Sequence, residues 1–312
     1  MTKPAILIAG PTASGKSAVA LKLAQALGGV VINADSMQVY GDLRVLTVRP
    51  TAEQEARAPH RLYGVMGAEQ NCSVGRWLGL VEAALAESRR QNWPPIFVGG
   101  TGLYFKALTD GLVRVPDIPN GVRQQARQLF TELGAARFRQ NLAQRDPEAA
   151  ARLPSSDRQR LIRAWEVVAA TGTPLKDWQQ TEANPPLVSH PVQIVLQPDR
   201  AWLYGRCDAR FDRMIAQGAI DEVRSLMARR LAPDLPAMKA LGVPLLIAAL
   251  EGRCTMDEAI SAAKTATRHY AKRQMTWFRN QMISWKRVSE QDSERIAEEI
   301  FSIIRENTLT TD

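Results

Sequence analysis

The sequence has few cysteines and no long apolar segment. Its three cysteines lie far apart and none forms a C-x-x-C pair, which disfavours a zinc site and indicates a reducing compartment. The longest apolar stretch, residues 243–250, contains Pro244 and is far below the roughly 20 residues that a membrane span needs. The apolar run at residues 5–9 is also too short for the core of a signal peptide. We therefore expect a soluble cytoplasmic protein with no membrane partner.

The charged residues, in contrast, are unbalanced in sign. The chain has 40 Lys and Arg against 32 Asp and Glu, which gives a formal net charge of +8. Apolar residues make up 45% and charged residues 23%, close to ordinary globular usage, and this excludes disordered and collagen-like chains. A prior of about 150 residues per domain predicts roughly two domains. The basic surplus favours a polyanionic partner.

The first third of the chain alternates short apolar runs with segments of helical periodicity. Residues 5–9, 30–33 and 95–98 are predicted strands, and residues 17–27 and 82–91 are predicted helices. Continuous apolar strands that alternate with helices are typical of an α/β fold, in which both faces of a parallel sheet are covered.

The character of the sequence changes after about Pro116. Prolines and arginines become frequent, and the next predicted strand is residues 192–196. Residues 116–191 are therefore predicted to form a mainly helical insertion domain, and residues 1–115 together with 192–312 to form the α/β core. The C-terminal region is predicted to be helical, in segments 211–231, 255–280 and 290–304.

The most specific motif follows the first predicted strand. Residues 10–17 match G-x-x-x-x-G-K-[ST] and lie between a strand and a helix, as a phosphate-binding P-loop requires. Glycines allow a tight loop whose N–H groups converge on phosphate oxygens, while Lys16 would neutralise a phosphate and Ser17 is a predicted Mg²⁺ ligand. A chance match in a turn is the alternative. The predicted cradle comprises Gly10, Pro11, Thr12, Ala13, Ser14, Gly15, Lys16 and Ser17.

An acidic residue, Asp35, follows the second predicted strand. Ordinary P-loop NTPases carry their Mg²⁺-holding acid after a later strand, where this chain has Gly99 and Gly100. Because the carboxyl ends of parallel strands meet at one edge of a sheet, Asp35 is predicted to lie beside the P-loop. A carboxylate there suits action on an acceptor group, as in small-molecule kinases. The alternative is that Asp35 caps a helix beginning near Met37.

The stretch 259–289 contains no acidic residue but seven Lys and Arg, and Trp277, Phe278 and Trp285 lie among them. Basic side chains interleaved with aromatics suit RNA backbone contact and base stacking. The alternative is a solvated basic helix face with aromatics in the core, since Trp277 and Trp285 are spaced to share one buried face. The arginine-rich insertion is open to the same two interpretations.

Five sequence blocks occur in order along most of the chain. They are residues 10–17, 35–40, 95–104, 157–163 and 272–279. The Asp-Ser-Met-Gln and Lys-Arg-Gln-x-Thr-Trp blocks are far more particular than the P-loop. In this combination the chain resembles the tRNA dimethylallyltransferases, also called tRNA isopentenyltransferases. The resemblance implies transfer of a dimethylallyl group from dimethylallyl diphosphate to the exocyclic amine of the adenosine 3′ of certain anticodons, with Mg²⁺.

The resemblance also implies roles for individual residues. Asp35 matches the general base that takes a proton from the amine, while Thr12 and Arg210 match positions that contact the diphosphate or the reacting centre. The insertion is expected to bind tRNA through its anticodon stem-loop, and the enzyme to be a monomer. The predicted tRNA contacts are Asp35, Ser36, Met37, Gln38, Thr101, Arg123, Gln159, Arg160, Leu161, Ile162, Arg163, Lys272, Arg273, Gln274 and Arg279.

Two other functions remain open from the sequence. A small-metabolite kinase using ATP would share the P-loop and the acid after the second strand, but it would need an arginine-bearing lid and no basic C-terminal helices. A non-catalytic RNA-binding protein would have no need of an intact Lys16, Ser17 and Asp35. Prenyl transfer fits best, because charge that builds on a departing diphosphate needs Lys16, Mg²⁺ and an arginine.

Overall fold

A computed structural model describes residues 4–113, 115–181 and 183–309. The chain divides into two compact units. The first comprises the residues up to Thr109 together with those from Leu187 onward, and the second is Asp110–Pro186. The boundaries expected from the sequence lie slightly further along the chain, at 116 against 110 and at 191 against 186.

The first unit is built on a six-stranded parallel sheet in the order β3-β2-β4-β1-β5-β6. Every residue of β1, β2 and β4 is buried, which explains why these strands appear in the sequence as continuous apolar runs. The predicted α/β fold with a parallel sheet is confirmed. The strands are β1 (Ile6–Ala9), β2 (Val30–Asn33), β3 (His60–Arg61), β4 (Pro95–Gly99), β5 (Val192–Leu196) and β6 (Lys286–Val288).

Thirteen α-helices occur in the described part of the chain, and α5 to α8 belong to the second unit. In that described part, no helix combines the length and the apolar character required to cross a bilayer. The helices are α1 (Lys16–Leu27), α2 (Ala52–Arg57), α3 (Val74–Arg90), α4 (Gly102–Asp110), α5 (Asn120–Ala143), α6 (Pro147–Arg152), α7 (Arg158–Thr171), α8 (Leu175–Gln179), α9 (Arg200–Ala216), α10 (Ala219–Ala228), α11 (Val243–Leu250), α12 (Met256–Gln281) and α13 (Ser293–Leu309).

Both faces of the sheet are covered by helices. Leu7 and Phe97 point to one face, where they join an apolar cluster with residues of α3, α4 and α9 to α12. Ile8 and Val98 point to the other face, where α1 and α13 supply the packing partners. Since β4 lies between β1 and β2, the loops that follow these three strands meet at one edge of the sheet.

The second unit has its own small core. Phe138, Leu161 and Trp165 are buried within it, and the Trp165 indole N–H donates to Asn141 Oδ1 at 2.8 Å. Helix α5 is interrupted at Gly134, where φ is +71°. These contacts join segments that are close in sequence, as in a helical insertion.

The structure differs from the sequence-based elements in three places. The predicted helix 211–231 is two helices, because Gly218 is left-handed (φ +96°) and separates α9 from α10. The C-terminal region is not wholly helical, since Lys286–Val288 forms β6 at an edge of the sheet. The predicted helix 82–91 begins earlier, at Val74, where the Ser73 side chain accepts the Arg76 N–H at 3.2 Å.

Candidate active site

The P-loop connects β1 to α1 at the carboxyl edge of the sheet. Gly15 has φ +93° and Ala13 has φ +66°, so the loop reverses tightly before Lys16 begins α1. Gly15 stands at the N-cap and has no side-chain acceptor to offer. The N–H groups of the loop and of the first helical turn are therefore suited to an anion.

Asp35 follows β2 in a turn rather than at the start of a helix. Its N–H donates to Asn33 Oδ1 at 2.8 Å, and its Oδ1 accepts the Met37 N–H at 2.9 Å. Met37–Tyr40 is not helical, so the helix-cap alternative is wrong. The second carboxylate oxygen, Oδ2, lies next to Gly100, 3.3 Å from where a Cβ on that glycine would stand.

The loop after β4 joins these two segments. Gly10 N–H donates to Gly99 O at 3.3 Å, which ties the P-loop to β4. Thr101 N–H donates to Ala34 O at 3.3 Å, and Thr101 Oγ1 accepts the Ser36 N–H at 2.9 Å. The structure therefore brings the P-loop, Asp35 and Thr101 together, as the order of the strands requires.

Helix α9 adds two arginines to the P-loop. Arg210 donates from Nη2 to Thr12 Oγ1, so these two predicted site residues are in direct contact with each other. Arg206, four residues earlier on the same helix, donates from Nε to Ala13 O at 3.0 Å. No sequence motif points to Arg206, although its (i, i+4) spacing from Arg210 places both on one helix face.

The site is electropositive and partly desolvated. Lys16 donates to Pro11 O at 3.2 Å, and burial lowers the pKa of Lys16 to about 8, an effect that Asp35 offsets in part. Burial also lowers the pKa of Arg210. Both shifts arise because a buried cation is disfavoured without a counter-charge, so an anion held here would stabilise both cations.

Two polar atoms beside the loop have no hydrogen-bond partner among the residues that the structure describes. They are Ser14 Oγ and Arg210 Nε, and both are buried. Buried donors are normally satisfied. Unsatisfied donors next to a P-loop and two cations fit a site for a polyanion with many acceptor oxygens.

Helix α12 contributes one buried and several exposed residues of the predicted contact set. Lys272, Arg273 and Arg279 are exposed. Gln274 is buried: its Oε1 accepts the Thr12 N–H at 2.8 Å, and its Nε2 donates to Gly100 O at 2.9 Å. Gln274 therefore contacts the chain itself, whereas its neighbours face outward.

The aromatic and basic residues of stretch 259–289 divide between core and surface. Phe278 and Trp285 are buried in the core cluster, and Trp285 lies beyond the end of α12, so it does not share a helix face with Trp277. Lys264 pairs with Asp212 and Arg268 with Asp208, both on α9. A groove of about 490 Å³ runs along α12 and is lined by His269, Lys272, Arg273, Thr276, Trp277, Asn280 and Gln281.

The remaining predicted contacts belong to the second unit. Residues 159–163 lie in the first half of α7. Gln159 and Arg160 are exposed, Ile162 and Arg163 are half-buried, and Leu161 is buried in the core of the unit. The Leu161 side chain therefore packs internally. Arg123, on α5, donates from Nε to Ile118 O at 3.1 Å.

The fold and the site define a P-loop α/β protein in which an acid follows the second strand. A family model described as IPP transferase matches residues 38–281, and one described as isopentenyl transferase matches residues 4–68. Among curated proteins, a tRNA dimethylallyltransferase of Rhodopseudomonas palustris is 58% identical over 89% of this chain and 85% of its own length. Another, of Paramagnetospirillum magneticum, is 49% identical over 98% of both chains.

Solved structures agree with these matches. The tRNA isopentenylpyrophosphate transferase of Bacillus halodurans is similar with a TM-score of 0.70 at 31% identity, over 100% of this chain and 99% of the other. A eukaryotic dimethylallyltransferase acting on tRNA is similar with a TM-score of 0.74 at 26% identity, over 88% of this chain and 70% of the other. The chain belongs to the IPP transferase family.

Proposed function

We propose that this protein transfers the dimethylallyl group of dimethylallyl diphosphate to the exocyclic amine of the adenosine 3′ of the anticodon in certain tRNAs, releasing diphosphate. Relatives at 49% and 58% identity carry the name of this activity. The observation that carries the proposal is the meeting of the P-loop, Asp35 and Thr101 at the end of β4. Because the family carries out prenyl transfer, the small-metabolite kinase alternative is disfavoured.

The diphosphate is assigned to the P-loop. Its oxygens would accept hydrogen bonds from the loop N–H groups, Ser14 Oγ and Arg210, and Lys16 would supply a counter-charge. When the carbon–oxygen bond breaks, the electron pair stays on the diphosphate oxygen. Donors that are already oriented stabilise this developing charge more effectively than water does.

The residues present fit Mg²⁺ bound mainly through its substrate. No group of three His, Cys, Asp or Glu side chains suited to a metal occurs among the described residues, whereas Ser17 is exposed at the start of α1. Mg²⁺ is often held by one or two protein ligands together with phosphate oxygens and water. Ser17 would be its protein ligand, and the ion would supply further neutralisation of the leaving diphosphate.

Asp35 is assigned as the general base. The amine nitrogen forms a bond to the allylic carbon, and its proton passes to the Asp35 carboxylate. One oxygen of this carboxylate is fixed by the Met37 N–H, which orients the other toward the β4 loop. The exocyclic amine is a weak nucleophile, so positioning and a nearby base matter more than its intrinsic reactivity.

Exposed basic side chains are assigned to tRNA. Lys272, Arg273 and Arg279 on α12, and Arg160 in the second unit, are open to solvent. Cations of this kind bind the phosphate backbone, and the half-buried Trp277 in the α12 groove offers a ring for base stacking. The target base would have to leave its stack to reach Asp35.

The test combines purified protein, Mg²⁺, labelled dimethylallyl diphosphate and unmodified anticodon stem-loops. We expect label on the adenosine 3′ of the anticodon and release of pyrophosphate. A parallel reaction with ATP and small acceptors tests the kinase alternative, and phosphorylation there without prenylation of any stem-loop contradicts the proposal. We also expect a monomer, which light scattering of the purified protein checks.

A further inference from the structure

Gln274 lies between the P-loop and the loop after β4, and the proposed reaction requires a fixed distance between these two loops. Its side chain is buried on the inner face of α12 and is hydrogen-bonded at both ends. The carbonyl end accepts from Thr12 in the P-loop at 2.8 Å. The amide end donates to Gly100 in the β4 loop at 2.9 Å.

The β4 loop is shaped for this contact. A Cβ on Gly100 would collide with Gln274 Nε2, and a Cβ on Gly102 would overlap the indole ring of Trp277. Gln274 and Trp277 are three residues apart and share one helix face. The glycines after β4 therefore allow α12 to lie directly on the backbone of this loop.

Each end of Gln274 leads to a catalytic group. On one side, Thr12 also accepts a hydrogen bond from Arg210, so its N–H and its hydroxyl are both fixed. On the other side, Thr101 follows Gly100 directly and accepts the N–H of Ser36, which adjoins Asp35. Gln274 thus bridges the diphosphate cradle and the β4 loop, and the β4 loop in turn holds the segment after β2 that carries the Asp35 carboxylate.

We propose that Gln274 is a positioning residue that sets the separation between the P-loop and Asp35. This inference rests on the proposed function. Both ends of the Gln274 amide are engaged by the chain and its side chain is buried, so the amide has an internal structural role whether or not tRNA is bound. Its neighbours Lys272 and Arg273 are exposed on the same helix. Helix α12 therefore carries both an outward basic surface and the residue that separates the P-loop from Asp35.

This spacing matters because the amine, the allylic carbon and the departing diphosphate must be held together in reactive geometry. A misplacement of about 1 Å at a reacting centre costs on the order of 10²-fold in rate. Loss of a positioning residue therefore lowers kcat, whereas loss of a surface contact weakens tRNA binding.

The test is Gln274→Met, which has a similar length but no hydrogen-bonding group at its end. We expect kcat to fall at least about tenfold, the stem-loop Kd to stay within about twofold, and the affinity for Mg²⁺–pyrophosphate to fall at least about threefold. Where this variant does not fold, Gln274→Glu replaces it. It keeps an acceptor for the Thr12 N–H and loses the donor to Gly100 O, and the same loss of kcat is expected.

The matched control is Ser88→Ala. Ser88 is buried on α3 and donates to Trp93 O at 2.6 Å, so this change also removes a buried side chain–backbone hydrogen bond. A kcat for the Gln274 variant within about twofold of the parent, or an equal fall in Ser88→Ala, overturns the proposal. Transfer by the unaltered protein tests the proposed function separately. If it transfers nothing, an unchanged pyrophosphate affinity in the Gln274 variant still overturns the role of Gln274.

Discussion

At the scale of single residues, Lys16 links proton and ligand binding. Burial lowers its pKa to about 8, against about 10.4 for an exposed lysine, so at higher pH the free side chain is mostly neutral. An anion in the cradle favours the ammonium form. We therefore expect pyrophosphate binding to take up a proton at about pH 8.5, and the affinity to fall as pH rises through about 8. Titration calorimetry in buffers of different ionisation enthalpy measures the uptake.

Lys16→Met is the control for this experiment. It removes the titrating ammonium, so only the ionisation of pyrophosphate itself should remain in the pH dependence. The same proton uptake in the variant and in the parent protein would show that Lys16 is not its source.

Asp35→Asn distinguishes the structural role of one carboxylate oxygen from the role of the carboxylate as a base. Asparagine retains an Oδ1 that accepts the Met37 N–H, so the turn after β2 should persist. The side chain loses its basicity, and we expect turnover to fall by at least about 10² while the stem-loop Kd changes by less than about twofold. Single-turnover transfer and fluorescence anisotropy of a labelled stem-loop measure the two quantities. Parent-like turnover would remove Asp35 as the base.

The site residues that could be predicted from the sequence are those that belong to a local motif. The P-loop, Asp35 and Thr101 follow strands, and the position of each strand was recognisable from its apolar run. Arg206 and the internal role of Gln274 were not predictable in this way. Their contacts join residues 193 and 262 positions apart, and only the packing of α9 and α12 on the sheet brings them together.

At the scale of elements, the glycines after β4 control how closely α12 packs. Gly102→Ala would place a methyl group within the Trp277 ring, and such overpacking typically costs about 1–3 kcal/mol. Gly79→Ala, in the middle of α3, meets open space and should raise the free energy of unfolding by about 0.5–1 kcal/mol. Urea denaturation of the two variants measures both changes.

The free energy of unfolding is expected to fall in Gly102→Ala and to rise in Gly79→Ala, so the two variants distinguish overpacking from a general effect of alanine. If Gly102→Ala is as stable as the parent protein, α12 does not lie against this loop in solution. A loss of stability in Gly79→Ala would instead indicate that a glycine-to-alanine change destabilises this protein even where the added methyl group meets open space.

Elements were predictable where burial was complete. Strands β1, β2, β4 and β5 appear as apolar runs because helices cover both of their faces. Strand β3 has two residues and β6 begins with exposed Lys286 and Arg287, so neither shows an apolar run. The break between α9 and α10 depends on the backbone of Gly218, and a single glycine in a helical pattern is no reliable signal of a break.

At the scale of the whole molecule, the net charge of +8 predicts stem-loop binding that weakens steeply with salt. Arg160 is exposed, and among the described residues its guanidinium forms one ion pair, at 3.4 Å with Asp157 at the N-cap of the same helix. We expect Arg160→Gln to weaken binding and to reduce the slope of log K against log salt by about one unit. Anisotropy titrations at several salt concentrations measure this slope.

Arg224→Gln supplies a control of equal charge. Arg224 is also exposed and pairs with an aspartate three residues away, Asp221, at 2.7 Å. Arg224 lies on α10 and is not a predicted tRNA contact, so the slope of log K against log salt for Arg224→Gln should match that of the parent protein. Equal slopes for both variants would mean that only total charge matters and that the second unit makes no specific contact.

The apolar cluster that joins Ile6 and Ile8 to Val288, Ile296 and Ile300 has a consequence for biosynthesis. During translation β1 is synthesised more than 280 residues before α13, which packs against it. Residues 110–186 find their own packing partners nearby in sequence, and such local contacts form early. We therefore expect the insertion to fold during translation, while this face of the nascent sheet is covered only in part, by α1, and depends on chaperones until α13 emerges.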